Sequence, residues 1–410
     1  MKENFLVVDF CSSKIVLFLA SIENGLTIKN WTAIPVDQDT IRSGQIYNLE
    51  NVATVVRKGL AETSGKLKFE PSYVYIGFSD PEVELKLSKG MAGCGTPDNP
   101  AEITEKHLEQ AIASSKTVNL EEGRVIVQTI PIKFDVDSKT DIRNPKGMLG
   151  VRLEVNSALI TARKSALLNY KRALEKAGIF ADRFAYQPIA ELFELTTPEE
   201  KENGVLFIDI GRDLTNFGVI IENKLQTVKT MPVGGIHINK DLKYYFGITM
   251  DKAEEVKKKY GQLVSNSEGI SEYIDLGYSS AKTDKIKKDL LVKYVSERLS
   301  EIFNVIKEEL IQIDLNDKIT FVRITGGSSQ IENIEKLAEE VFNVKAEIYR
   351  PSGIVETLVN TYDIPAFYSL SSSLGVLLFA YRNISLGDPY ESNLDVVKSV
   401  KGIFKRIFGK

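Results

Sequence analysis

Histidine and cysteine occur only twice each, and tryptophan once, in a chain of 410 residues. With His107 and His237 alone, a histidine-rich metal centre or a Ser-His-Asp hydrolase has too little to work with. Cys11 and Cys94 cannot build a disulfide framework and fit a reducing compartment. They read as small packed residues, and the two histidines as incidental. Net charge is lacking too: 52 basic side chains against 56 acidic ones leave −4 at pH 7. That excludes nucleic-acid binding through bulk positive charge. No apolar run approaches the ~18–20 residues that span a bilayer; the richest late one, 374–381, has the length of a buried helix. Asp9 and Lys14 interrupt the apolar start, which argues against a signal peptide and for a cytoplasmic protein.

What is present is an ordinary globular balance, 43% hydrophobic and 26% charged, in a chain long enough for two or more domains. Residues 4–10 and 15–22 are β-rich runs around the tip Cys11-Ser12-Ser13-Lys14. Helical spacing at Val52, Val55, Val56 and Leu60 predicts a helix over 50–65, followed by a strand over 71–77. From about 82 to 160 the texture changes. A helix is expected over 104–117, strands over 124–132 and 150–161, and a helix over 163–178 capped by Gly178. The opening pattern then restarts, with a strand at 204–209, a turn at 211–215 and a strand at 216–221. Residues 238–260 and 283–312 read as charged helices without strands between them. A strand over 319–324 leads into Thr325-Gly326-Gly327-Ser328, then a helix over 331–341, a strand over 345–349 and a final helix over 365–382.

Two hairpins of one template, apolar run, Asp, short polar turn, apolar run, suggest a duplicated fold. Tight turns present backbone N–H groups to anions, and Ser or Thr hydroxyls add donors. Ser12, Ser13 and Lys14 in the first turn, and Gly211 and Thr215 in the second, would thus face a phosphorylated ligand. Asp9 and Asp209 would hold hydrated magnesium. Gly326, Gly327 and Ser328, between a strand and a helix, would let backbone pass close to a nucleoside.

The ordered set resembles the actin-type ATPases, and within them the FtsA family of bacterial cell division. Val8-Asp9-Phe10-Cys11-Ser12-Ser13-Lys14 resembles its first phosphate loop and Phe207-Ile208-Asp209-Ile210-Gly211 its second. Asn144-Pro145-Lys146-Gly147-Met148 with Gly150-Val151-Arg152-Leu153-Glu154 resembles the end of its extra domain. Residues 232–241, 253–261 and 325–328 resemble its later nucleotide-facing segments. The resemblance implies an α/β, actin-like ATPase fold, a duplicated ribonuclease H-like unit forming two lobes, with an inserted SHS2-like subdomain 1C. The implied divisions are 1–81 and 163–197 (1A), 82–162 (1C), 198–237 and 306–349 (2A), 238–305 (2B), and 350–384 (the C-terminal helix region of 1A). It also implies ATP or ADP with magnesium, contacts from Gly235, Glu254 and Lys257, and Gln187 as a water-orienting side chain. Implied partners are the tail of the tubulin-like FtsZ on 2B, and a second copy of the chain in an actin-like protofilament. The sequence departs from the family at Cys11, Arg212 and Asp213, where glycine is usual, and at Asn216, where Asp is common. These departures predict weakened nucleotide binding, since Asp213 sets a like charge near phosphates unless Arg212 offsets it. A PilM-type pilus-assembly scaffold and a sugar- or acid-kinase-like phosphotransferase are the alternatives.

After the linker 385–395, apolar residues recur at 396/397, 400, 403/404 and 407/408, with Lys398, Lys401, Lys405, Arg406 and Lys410 among them. This is a basic amphipathic helix suited to an anionic membrane interface. Val400, Ile403, Phe404, Lys405, Arg406, Ile407 and Phe408 would make the contact. The expectation is a peripheral protein on the cytoplasmic face of the membrane at the division site, tethering FtsZ polymers.

Overall fold

Strands buried on both faces read as continuous apolar runs, and such runs found the two five-stranded sheets among the described residues. A computed structural model describes residues 3–64, 70–181, 183–263, 273–276, 285–364 and 367–385. It opens with the meander β1 (Glu3–Phe10), β2 (Lys14–Ile22) and β3 (Leu26–Pro35), then α1 (Leu49–Ser64) and β4 (Tyr73–Phe78). Next come β5 (Glu84–Gly93), α2 (Glu105–Ser115), β6 (Arg124–Val136), β7 (Lys139–Ile142) and β8 (Arg152–Arg163). Then follow α3 (Lys164–Lys176), β9 (Arg183–Tyr186), α4 (Gln187–Glu194) and α5 (Pro198–Asn203). The pattern restarts with β10 (Val205–Ile210), β11 (Thr215–Ile221) and β12 (Lys224–Met231). After it come α6 (Gly235–Phe246), α7 (Met250–Tyr260), β13 (Tyr273–Asp275), β14 (Lys285–Lys287) and α8 (Lys288–Gln312). The described chain closes with β15 (Phe321–Thr325), α9 (Ile334–Phe342), β16 (Lys345–Ile348), α10 (Gly353–Thr361) and α11 (Ser371–Ser385).

Two compact units result. One takes in the chain up to Leu195, Asn223–Thr230 and the chain from Ser372; the other takes in Thr196–Glu222 and Met231–Ser371. The first five-stranded sheet has the order β9-β4-β1-β2-β3 and the second β12-β11-β10-β15-β16. These are one order read in opposite directions: a three-strand meander whose first strand also pairs in parallel with a fourth. Duplication is therefore visible in topology as well as in the hairpins. A separate four-stranded sheet, β7-β6-β8-β5, carries α2 over a small core of Ile103, Leu108, Ile112, Phe134, Leu153 and Val155. In the second unit, α8 turns Leu291, Val295, Leu299, Ile302 and Ile306 inward, the three-and-four spacing of a helix with one apolar stripe.

Three sequence expectations need correction. Residues 238–260 do not form one helix: Gly247 ends α6 in the left-handed conformation at φ 64°, and Thr249 caps α7 by accepting from Lys252 N–H. The stretch before α8 contains strands, β13 and β14, too short and too charged to show as alternation. Gly326-Gly327-Ser328 leads into a 3₁₀ turn, Gly327–Gln330, and α9 starts only at Ile334, so no α-helix N-terminus opens directly on this motif. Two strands, β3 and β5, carry no apolar run to announce them, because each is the edge of its sheet with much of its surface in water. The helix over 163–178 is α3, with Gly178 at φ 87° just past its end. Among the described residues no helix is long and apolar enough to cross a membrane. The amphipathic segment 396–410 and the linker from 386 lie outside the described residues.

Candidate functional site

Each sheet presents an Asp at the end of its first strand, and the two hairpins share one register. Asp9 stands opposite Val16 and Phe10 opposite Ile15; Asp209 stands opposite Asn216 and Ile210 opposite Thr215. Each turn closes the same way, Cys11 N–H on the Lys14 carbonyl at 3.0 Å and Gly211 N–H on the Leu214 carbonyl at 2.9 Å. Ser12, Ser13 and Lys14 lie half-buried at the first tip.

In the first unit Asp9 is wholly enclosed. Its Oδ1 accepts from Gln187 Nε2 at 2.7 Å, and its Oδ2 from Ser373 Oγ at 2.6 Å, Cys11 Sγ at 3.2 Å and Ser372 Oγ at 3.4 Å. Gln187 in turn accepts from Ser79 Oγ at 2.6 Å and donates to the Phe10 carbonyl at 3.3 Å. Burial pushes the Asp9 carboxyl up, and the donors from Ser373, Gln187, Cys11 and Ser372 pull it back. Burial, and then the Asp9 carboxylate, push the Cys11 thiol well up, so it stays protonated and donates. Gln187 and Cys11 are thus brought onto Asp9. Ser79, Ser372 and Ser373 are additions that sequence reasoning missed.

The second unit collects more of the expected residues. Arg212 Nε pairs with Asp213 at 2.9 Å, so the turn neutralises its own carboxylate. Asn216 Nδ2 donates to Asp209 Oδ2 at 3.2 Å, where an aspartate would repel. The turn is held against α6 by Gly235 N–H on the Gly211 carbonyl and Ile236 N–H on the Arg212 carbonyl, at 3.0 and 2.8 Å. Thr215 spends its hydroxyl on the Val233 carbonyl at 2.8 Å. Behind this, Lys257 Nζ sits 2.6 Å from Glu254 Oε2 and 3.2 Å from the Gly235 carbonyl, while Asn239 Nδ2 donates to the same Glu254 oxygen at 2.6 Å. Burial opposes the charge on Glu254, but Lys257, Asn239 and Lys258 hold its carboxyl down at about 2. Burial also draws the Lys257 ammonium down, with Glu254 offsetting it.

Glycine is required at specific points here. A Cβ at Gly235 would lie 2.5 Å from Ser328 Oγ and 3.3 Å from Lys257 Nζ; one at Gly326 would lie 2.2 Å from Asp209 Oδ1. A Cβ at Gly327 would meet nothing within 4 Å. Exposed backbone at Gly327, beside the buried Ser328 and a paired Lys and Glu, fits approach by the ring and hydroxyls of a nucleoside. Asp9, by contrast, has no exposed surface, with three donors on Oδ2 and one on Oδ1.

Both histidines turn out to have structural work. Each sits at the third position of a helix, and its Nδ1 accepts the N–H of the capping residue: Thr104 for His107 at 3.1 Å, Gly234 for His237 at 3.2 Å. Thr104-x-x-His107, a capping box with His in place of Glu or Gln, was a signal available in the sequence.

Comparison with known proteins bears on the whole of this. Two family models match: "Cell division protein FtsA" over residues 206–372 and "SHS2 domain inserted in FTSA" over residues 82–161, together more than half of the chain. Among curated proteins, the cell division protein FtsA of Escherichia coli K12 is 25% identical over 373 residues, covering 89% of this chain and 87% of that one. FtsA of Neisseria meningitidis serogroup B is 25% identical over 84% of this chain and 83% of its own, and FtsA of Bacillus subtilis 168 is 26% identical over 78% and 72%. Among solved structures, the PilM-PilN type IV pilus biogenesis complex has a TM-score of 0.65 at 17% identity, covering 92% of this chain and 98% of the matched one. MreB5 of Spiroplasma citri bound to ADP has a TM-score of 0.51 at 14% identity, covering 93% and 98%. Those structures share the actin-like fold, and the sequence models carry the assignment further: the chain belongs to the FtsA family of cell-division proteins.

Proposed function

We propose that this protein tethers FtsZ polymers to the cytoplasmic face of the membrane at the division site, as a nucleotide-binding, self-assembling actin-like adaptor. The observation that carries the reading is the pair of FtsA-family matches, one of them to the inserted SHS2 domain. In this reading residues 238–305 receive the FtsZ tail and the insert at 82–162 joins copies into a protofilament. ATP or ADP is held by Gly235, Glu254, Lys257, Gly326, Gly327 and Ser328, with phosphate at the turn of Gly211 and Asp209 facing magnesium. Magnesium supplies charge neutralisation for the phosphates when bound. The chain's own residues do the rest: the second turn compensates its Asp213 internally, and the Lys257–Glu254 pair is fixed in place by Asn239 and the Gly235 carbonyl.

The membrane contact is assigned to 396–410, whose five cations are each worth about 1 kcal/mol near an anionic surface. Inserting Ile403, Phe404, Ile407 and Phe408 adds ~1.5–3 kcal/mol for each fully buried side chain, and less for partial entry. Co-sedimentation with anionic liposomes, with and without FtsZ, is the test. The full chain should pellet and bring FtsZ with it; Phe404→Glu should stay in the supernatant with an unchanged melting temperature. If deletion of 396–410 leaves sedimentation intact, the tether reading fails.

A further inference from the structure

We propose that Asp9 is not a cation ligand but the internal anchor that fastens the β1–β2 turn to the first turn of α11, leaving magnesium to be held from the second unit. The second half of this rests on the nucleotide reading above; the first stands on geometry alone.

A carboxylate offers about four lone-pair sites. Four donors converge on Asp9 at 2.6–3.4 Å: Cys11 of the β1–β2 turn and Ser372 and Ser373 of the first turn of α11 on Oδ2, and Gln187 at the start of α4 on Oδ1. The residue has no exposed surface, and the neighbouring strand is as close: a Cβ at Gly77 would lie 1.9 Å from Asp9 Oδ1 and 3.0 Å from Val376 Cγ2 of α11. Magnesium gives up its waters reluctantly and would have to set one of them against an Asp9 oxygen. On Oδ2 that water would have to displace one of three donors, and on Oδ1 it would have to fit between Gln187 and the backbone at Gly77. The placement suits an anion in any case, because the N-terminus of α11 favours negative charge. At Asp209 the residue opposite in the hairpin is Asn216, which donates to Oδ2, and the parallel neighbour is Thr325 where β4 has Gly77; Gly326 approaches its Oδ1 as Gly77 approaches that of Asp9.

The test compares Asp9→Asn, Ser373→Ala and the double variant by thermal melting. Each variant is also titrated with ATP by calorimetry, once in magnesium and once in EDTA. An anchor predicts that both single variants melt several degrees lower, and that the double variant loses much less than the sum, since the two side chains share one contact. It also predicts that the ratio of ATP affinities in magnesium and EDTA stays at the native value in Asp9→Asn and collapses in Asp209→Asn. If Asp9→Asn does not fold, Ser373→Ala still decides: an anchor loses stability with the magnesium ratio unchanged, whereas a cation ligand freed of its competitor would bind ATP with greater magnesium dependence. That increase, or additive melting losses, would overturn the proposal. If the native chain binds ATP in neither buffer, the nucleotide reading falls and the melting cycle alone judges the anchor.

Discussion

Two adjacent glycines should respond in opposite ways to the same added methyl group. Gly326 has φ 91° and ψ 168°, a region that essentially only glycine occupies. Alanine there costs ~1–3 kcal/mol in backbone strain alone. Its Cβ would also sit 2.2 Å from Asp209 Oδ1 and 2.5 Å from the Ile210 carbonyl oxygen. Backbone cannot swing aside as a flexible side chain can, so overpacking adds ~1–3 kcal/mol more. The total of about 2–6 kcal/mol corresponds, at ~2–4 °C per kcal/mol for a unit of this size, to a melting temperature lower by about 4–24 °C. Gly327 has no such strain, and a methyl group added there would have nothing within 4 Å. Gly327→Ala should therefore stay within about 1 kcal/mol of the native protein, with any change toward greater stability from the reduced freedom of the unfolded chain. If that open space takes a nucleoside, the same methyl group weakens ATP binding about 5- to 100-fold, at 1.4 kcal/mol per tenfold and ~1–3 kcal/mol for the clash. Calorimetric melting of both variants and ATP titration of Gly327→Ala make the comparison. A Gly326→Ala protein that melts like the native one refutes the strain argument. A Gly327→Ala protein with native stability and native ATP affinity refutes the placement of the nucleoside.

His237 accepts the Gly234 N–H through an unprotonated Nδ1, and burial, with Lys240 next, holds its pKa below the ordinary value. The folded state then binds fewer protons than the unfolded one between that lowered value and ~6.5, so the cap's contribution of ~0.5–2 kcal/mol is complete above ~pH 6.5 and is lost as pH falls through the folded pKa. Urea denaturation from pH 5 to 8 should show this slope lessened in His237→Gln, which keeps an acceptor without titrating; an identical slope would remove His237 from the account. Arg323 donates to both Glu200 and Glu347, and the Glu200 side chain is only 11% exposed. Arg323→Met should cost ~3–5 kcal/mol by leaving the Glu200 carboxylate only its Thr197 N–H partner, and adding Glu200→Gln, which keeps that capping contact without the charge, should recover most of the loss in denaturant melts. If the double variant is no more stable than Arg323→Met alone, the stranded charge is not the cause.

Much of the architecture could be read from residues close together in the chain. The two Asp hairpins declare themselves because β1, β2, β10 and β11 are buried on both faces, and water exclusion there forces unbroken apolar runs. α8 was legible for the complementary reason, since one stripe facing a core imposes its spacing on 25 residues. The edge strands β3 and β5 were not legible, because half-solvated edges tolerate charge and leave no period to find.

At the site, residue type and spacing were enough to single out Asp9, Asp209 and the glycines at 326 and 327, and the family resemblance added Glu254 and Lys257. What each of these touches was decided elsewhere. Cys11 and Asp213 read in sequence as obstacles to phosphate, yet the structure pairs the first with Asp9 and the second with Arg212. Ser372 and Ser373 carry no signal that ties them to a residue more than 360 positions earlier. Sequence alone determined which segments must be buried and where the chain must turn, since apolar periodicity and glycine conformations are local properties. Only the tertiary structure decided whether a buried carboxylate has spent its hydrogen bonds, because its donors converge from segments that meet only after the sheet and its helices have packed.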